Sequence, residues 1–159
     1  MQGPTVRDSG MLLRRDRAMV AVLIMLDVAF HAGRAGTVSA ADIAERAGLA
    51  RRGIEPLLQA LSRSSLLESI RGPRGGYRLG RPRRDIRLSD VIDVTIAEDG
   101  ASDDGPVGTL FGKVVEPTWR ALDDRLRAEL GALTLDDLVR RAEAAGLRRP
   151  LSEPISFSI

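Results

Sequence analysis

The stretch from Ser39 to Leu79, SAADIAERAGLARRGIEPLLQALSRSSLLESIRGPRGGYRL, decides the fold. Ser39 followed three residues later by Asp42 resembles a capping box, and Ile43, Ala44 and Ala47 give a short helix one apolar face. Gly48 is placed to end it. From Arg51 to Arg63, the residues Ile54, Leu57, Leu58 and Leu61 recur at spacings of three and four, which predicts a second helix with one buried stripe. Short helix, glycine turn, helix is a helix-turn-helix pattern. Behind it, Leu66 to Ile70 and Tyr77 to Leu79 flank the glycine-rich run Arg71-Gly72-Pro73-Arg74-Gly75-Gly76, the composition of a β-hairpin. In that position a hairpin is the wing of a winged helix.

Working outward, residues 1–10 carry no apolar periodicity and read as a flexible arm. A first helix is expected from Met11 to Ala32, before Gly33 and Gly36, and another from Leu88 to Ala97. Residues 11–97 thus form a winged helix-turn-helix domain, and residues 98–108, rich in Asp and Gly, a mobile acidic loop. From Val107 a second apolar stripe runs through Leu110, Phe111, Val114, Val115, Trp119, Leu122 and Leu126 to Leu130. Roughly 24 residues at ~1.5 Å each make a helix longer than a small winged core covers, so part of the stripe is expected to meet another subunit. Pro117 should kink or interrupt it. Thr134 with Asp137 opens a last short helix that Gly146 ends, closing a dimerisation segment over residues 107–145 before a tail at 146–159. The fold class is mainly α with a small β-hairpin wing, followed by a long C-terminal dimerisation helix.

Composition removes most alternatives. A chain of 159 residues, 43% apolar and 29% charged, suits one globular domain. It has no cysteine, so thiolate zinc sites, cysteine-ligated clusters and cysteine nucleophiles are excluded, and His31 is the only imidazole. No cofactor is expected. Residues 1–90 hold 16 Arg against 9 acidic residues, whereas residues 91–159 hold 7 Arg and 1 Lys against 13. The basic half suits a polyanion such as double-stranded DNA. The apolar run from Ala18 to Leu26 after Arg14, Arg15 and Arg17 is too short to span a membrane, which points to a cytoplasmic protein.

Arg51 and Arg52 open the second helix of the motif, where guanidinium groups reach bases or phosphates in a major groove. As mere surface residues they would oppose the helix dipole. Glu55 is either an acceptor for a cytosine amine or a solvated helix residue. Arg71 and Arg74 flank the hairpin turn, and Gly75 and Gly76 permit positive φ and close approach to a DNA backbone. A nucleotide phosphate loop is disfavoured, because no Gly-Lys-Ser/Thr follows and the run leads into a strand. Arg14, Arg15 and Arg17, and Arg81, Arg83 and Arg84 after the wing, are either phosphate contacts or solvated surface. Phe111 and Trp119 fit core or dimer contacts better than a ligand pocket.

Ile43-Ala44-Glu45-Arg46-Ala47-Gly48-Leu49, Leu66-Leu67-Glu68-Ser69, the wing Arg71 to Leu79 and the late Leu133-Thr134-Leu135-Asp136-Asp137-Leu138 resemble, in order and spacing, the Rrf-two family of bacterial winged-helix transcription regulators, which includes iron-sulfur cluster regulators. The resemblance implies a homodimer, built on the long helix, that binds a palindromic operator through Arg51, Arg52 and the wing from Arg71 to Tyr77, as a repressor. It also implies that Glu55 occupies an acidic position involved in base discrimination. The departures are the missing cluster cysteines, Ser65 where the family has Gly, and Pro56 where the cluster regulators have an amide side chain, a change expected to remove a base contact and to bend the helix after its first turn. Any effector, small molecule or protein, must act without a cysteine-bound cluster. Two rivals remain: a winged-helix protein-interaction module without specific DNA binding, and a small enzyme using His31.

Overall fold

The computed structural model describes residues 17–33, 36–99 and 106–149. The N-terminal arm, Arg14, Arg15, most of the acidic loop and the tail from residue 150 lie outside the described residues. Helix α1, Arg17–His31, buries Ala21, Ile24, Met25 and Val28 completely and touches α2 Ala40–Ala47, α3 Arg51–Arg63, α4 Leu88–Asp99 and α6 Leu135–Ala144. It is the axle of the core. Among the described residues one charge enters that core: Asp27 of α1, 9% exposed, receives Nε and Nη2 of Arg46 at 2.8 Å each. The bidentate fork ties α2 to α1 and holds the Arg46 guanidinium above its ordinary pKa, chiefly through the hydrogen bond to Asp27. His31 Nδ1 donates to the Asp27 carbonyl at 3.0 Å, so the imidazole folds back on the end of α1.

The Ser39 hydroxyl accepts from the Asp42 amide at 3.0 Å and starts α2, and Gly48 at φ 66° ends it, both as the sequence indicates. Helix α3 runs unbroken through Pro56, contrary to the expected disturbance after its first turn. Its apolar stripe holds it: Ile54, Leu57, Leu58 and Leu61 are all at most 3% exposed, and that burial outweighs the one backbone bond a proline removes. Strands β1 Leu67–Ile70 and β2 Gly76–Leu79 pair antiparallel, Leu67 opposite Leu79 and Ile70 opposite Gly76. Ser65 takes the left-handed φ of 60°, which accounts for a family preference for Gly there.

Helix α4 continues through Asp99, further than predicted and into the segment read as acidic loop. Arg63 Nη2 donates to Glu98 Oε1 at 2.7 Å and fastens that last turn to the end of α3. The long apolar segment enters as a π-helical turn, Phe111–Val115, in which the Glu116 amide bonds the Phe111 carbonyl, and goes on as α5, Glu116–Ala132. Pro117 therefore sits in the first turn of α5 and does not break its middle. A proline ring clashes with the carbonyl four residues back, and widening the preceding turn relieves that clash.

At α6, the Asp137 carboxylate accepts from the amide and the hydroxyl of Thr134, both at 2.9 Å, completing the predicted capping box. These bonds lower the Asp137 pKa from its ordinary value. A depressed carboxylate pKa stabilises the fold above the unfolded-state value, and that contribution disappears as pH falls through the folded-state value. Thr134→Ala should therefore melt lower than the parent at neutral pH, with the gap closing as the pH falls into the acid range. An unchanging gap would mean that the box owes nothing to the carboxylate charge.

Candidate nucleic-acid interface

At about 100° per residue, Arg52, Pro56 and Gln59 share the side of α3 opposite its buried stripe. All three are exposed. Gln59 was not singled out from the sequence, although its place is readable as the complement of Ile54, Leu57, Leu58 and Leu61. Arg51 and Glu55 stand at one flank, with Arg51 Nε 3.2 Å from Glu55 Oε1, so these two candidates are joined to each other. Among the described residues Arg52 has no ion-pair partner. Ala50 supplies no side-chain cap, which leaves the first amides of α3 for an anionic group.

The wing is anchored by backbone. Val38, just before α2, exchanges hydrogen bonds with Tyr77 at 2.9 and 2.8 Å, and the Thr37 hydroxyl donates to the Arg74 carbonyl at 2.9 Å. A Cβ on Gly76, at φ 154°, would lie 2.6 Å from the Val38 carbonyl oxygen, and one on Gly75 would strike the Ile70 carbonyl. These two glycines are demanded by the packing of the wing itself. The Tyr77 side chain is partly buried against the core. Arg78 Nε donates to Glu68 Oε2 at 2.8 Å across the hairpin, lowering the Glu68 pKa and raising that of Arg78. That leaves Arg71 and Arg74, both exposed and without ion-pair partners among the described residues, as the cations of the wing.

Other sequence candidates divide. Arg83 pairs with Asp136 at 2.6 Å and joins the 3-10 turn Arg83–Asp85 to α6, whereas Arg81 and Arg84 are exposed. On the long helix, Leu110, Val114, Val115, Trp119 and Leu122 are 79, 56, 43, 51 and 39% exposed, while Phe111 and Leu126 are half-buried. Helix α5 buries no residue at all. Among the described residues no group of three or more His, Asp or Glu is placed to hold a metal ion, and no helix is long and apolar enough to cross a membrane.

Residues 15–141 match the family model of Rrf2, described as an iron-dependent transcriptional regulator. The chain is 38% identical over 126 residues to the HTH-type transcriptional regulator IscR of Xenorhabdus nematophila, covering 77% of this chain and 76% of that one. Among solved structures, it superposes on IscR of T. potens with a TM-score of 0.70 at 30% identity, over 89% of this chain and 95% of that one. It superposes on CymR, the global cysteine regulator of B. subtilis, with a TM-score of 0.66 at 27% identity, over 82% and 98%.

Proposed function

The chain belongs to the Rrf2 family of transcriptional regulators, which are DNA-binding proteins and not enzymes, and from that premise we propose that it is a homodimeric repressor of a palindromic operator. The observation that carries the reading is the pairing of Arg52, on the exposed face of α3, with Arg71 and Arg74 on an anchored hairpin, all three without ion-pair partners among the described residues. Arg52 bonds a guanine edge in the major groove, and the two wing arginines hold phosphates or the minor groove beside it. Gly75, Gly76 and Tyr77 position the wing. Glu55 orients Arg51, which is then a flanking phosphate contact.

The uncovered apolar face from Leu110 to Leu126 is the seam between two copies. A two-fold dimer sets two half-sites about one helical turn, ~34 Å, apart. Bound across a promoter in the cytoplasm, such a dimer represses by occupancy. The iron in the family description does not fit these residues: there is no thiolate, a single imidazole and no cluster of carboxylates among the described residues. Any effector, small molecule or protein, therefore acts by another chemistry.

Selection of bound fragments from random DNA at low and near-physiological salt should return a two-fold motif that survives the higher salt. In competition against that motif, Arg52→Ala should lose about 5- to 150-fold of discrimination at one base pair per half-site. Binding without a motif, vanishing as salt rises, would leave only electrostatic attachment. The protein-interaction reading would then replace this one.

A further inference from the structure

Beside the exposed face of α3 lies an open groove of about 510 Å³, lined among the described residues by Val20, Leu49, Ala50, Gly53, Pro56, Leu57 and Arg17. Leu49 is 39% exposed and Pro56 is exposed as well. Apart from its chain neighbours and the helix's own backbone, nothing lies within 4 Å of where a Gly53 Cβ would stand, so the groove is open along the helix. Pro56 brings neither an amide hydrogen nor a polar side chain. A base edge presented here finds no hydrogen-bonding side chain from Val20, Leu49, Pro56 or Leu57, which disfavours the amine of cytosine and the acceptors of guanine. One group on the major-groove edges of DNA needs no such partner: the 5-methyl of thymine.

We propose that Pro56 and the groove beside it receive the 5-methyl group of one thymine in each operator half-site, making Pro56 a specificity-determining residue. The proposal rests on the reading of α3 as the major-groove helix. The groove is continuous with the face that carries Arg52, since Pro56 belongs to both. Register follows from geometry. Arg52 and Pro56 are one turn apart, about 6 Å along the axis. Base pairs rise about 3.4 Å each. The thymine therefore lies within about two base steps of the guanine that Arg52 contacts.

The test replaces each thymine of the selected operator by deoxyuridine, which removes the methyl and leaves every hydrogen-bonding group in place. Wild-type protein should bind about fourfold more weakly per half-site at one such position, the worth of one buried methyl. In Pro56→Ser, whose melting temperature serves as the check on folding, the same substitution should cost less than about twofold. Deoxyuridine without effect at every position would overturn the proposal and give the groove to another occupant, a peptide or a second copy. A penalty that persists undiminished in Pro56→Ser would also overturn it, placing the methyl elsewhere. Absence of any sequence-selective binding by wild-type protein is a different result, and it removes the DNA reading itself.

Discussion

Gly76→Ala is expected to lower folding stability by about 2 to 4 kcal/mol, read as a shift of the urea midpoint at unchanged slope. Two causes combine. The φ of 154° is one that residues with a side chain rarely adopt, and the added methyl would stand 2.6 Å from the Val38 carbonyl oxygen and 2.8 Å from its carbon. Both obstacles are backbone atoms, so no rotamer change makes room. The variant must open the bridge between Val38 and Tyr77, which is the hinge by which the wing is set against α2. Operator affinity should therefore fall further than the loss of folded protein explains. Gly72→Ala is the control, because at φ 116° it carries the conformational cost with nothing within 4 Å to strike. Equal losses from the two variants would show that the wing is not held closely.

Arg46→Ala should cost about 2 to 3 kcal/mol, toward the lower end of what breaking a buried ion pair does, because the Arg46 side chain is 36% exposed and its charge is partly screened. The damage lies in what stays behind. Asp27 is 9% exposed, and without the guanidinium fork its carboxylate keeps only His31, 3.4 Å away. An unpaired carboxylate in that position costs more than the pair contributes, so the double variant Asp27→Leu with Arg46→Met should regain more than half of the loss. Chemical denaturation of the single and double variants decides it. A double variant no better than Arg46→Ala would mean that the fork specifies the packing of α2 on α1 beyond its charge.

What the sequence discloses well here is local. Ser39 with Asp42, Gly48, Thr134 with Asp137 and the run Arg71 to Gly76 each act within a few residues, and each appears where its chemistry predicts. What it conceals depends on distant partners. Pro56 reads as a bend because propensity is local, but the buried stripe on the other side of α3 overrides it. Asp27 and Arg46 are 19 residues apart, and nothing in either neighbourhood announces their pairing. Gly75 and Gly76 look like access for DNA, while their neighbours in space show them serving the wing's own backbone. Gln59 is legible only as the complement of the buried stripe, since an amide in the middle of a helix carries no charge and no local signal of its own.

The π-helical turn over Phe111–Val115 settles how the long apolar face is phased. Steps of four residues, as from Leu122 to Leu126 to Leu130, gain about 40° each on a helix of 3.6 residues per turn. An unmodified α-helix would wind that face around the rod, and a straight partner could follow only part of it. One extra residue taken into a wide turn absorbs about 100° of the accumulated rotation and brings Leu110 and Val114 into line with Trp119 and Leu122. Refolding that turn as ordinary α-helix with every residue kept would leave a rod just as apolar whose two halves look in different directions, whereas removing one residue together with the wide turn would keep them aligned.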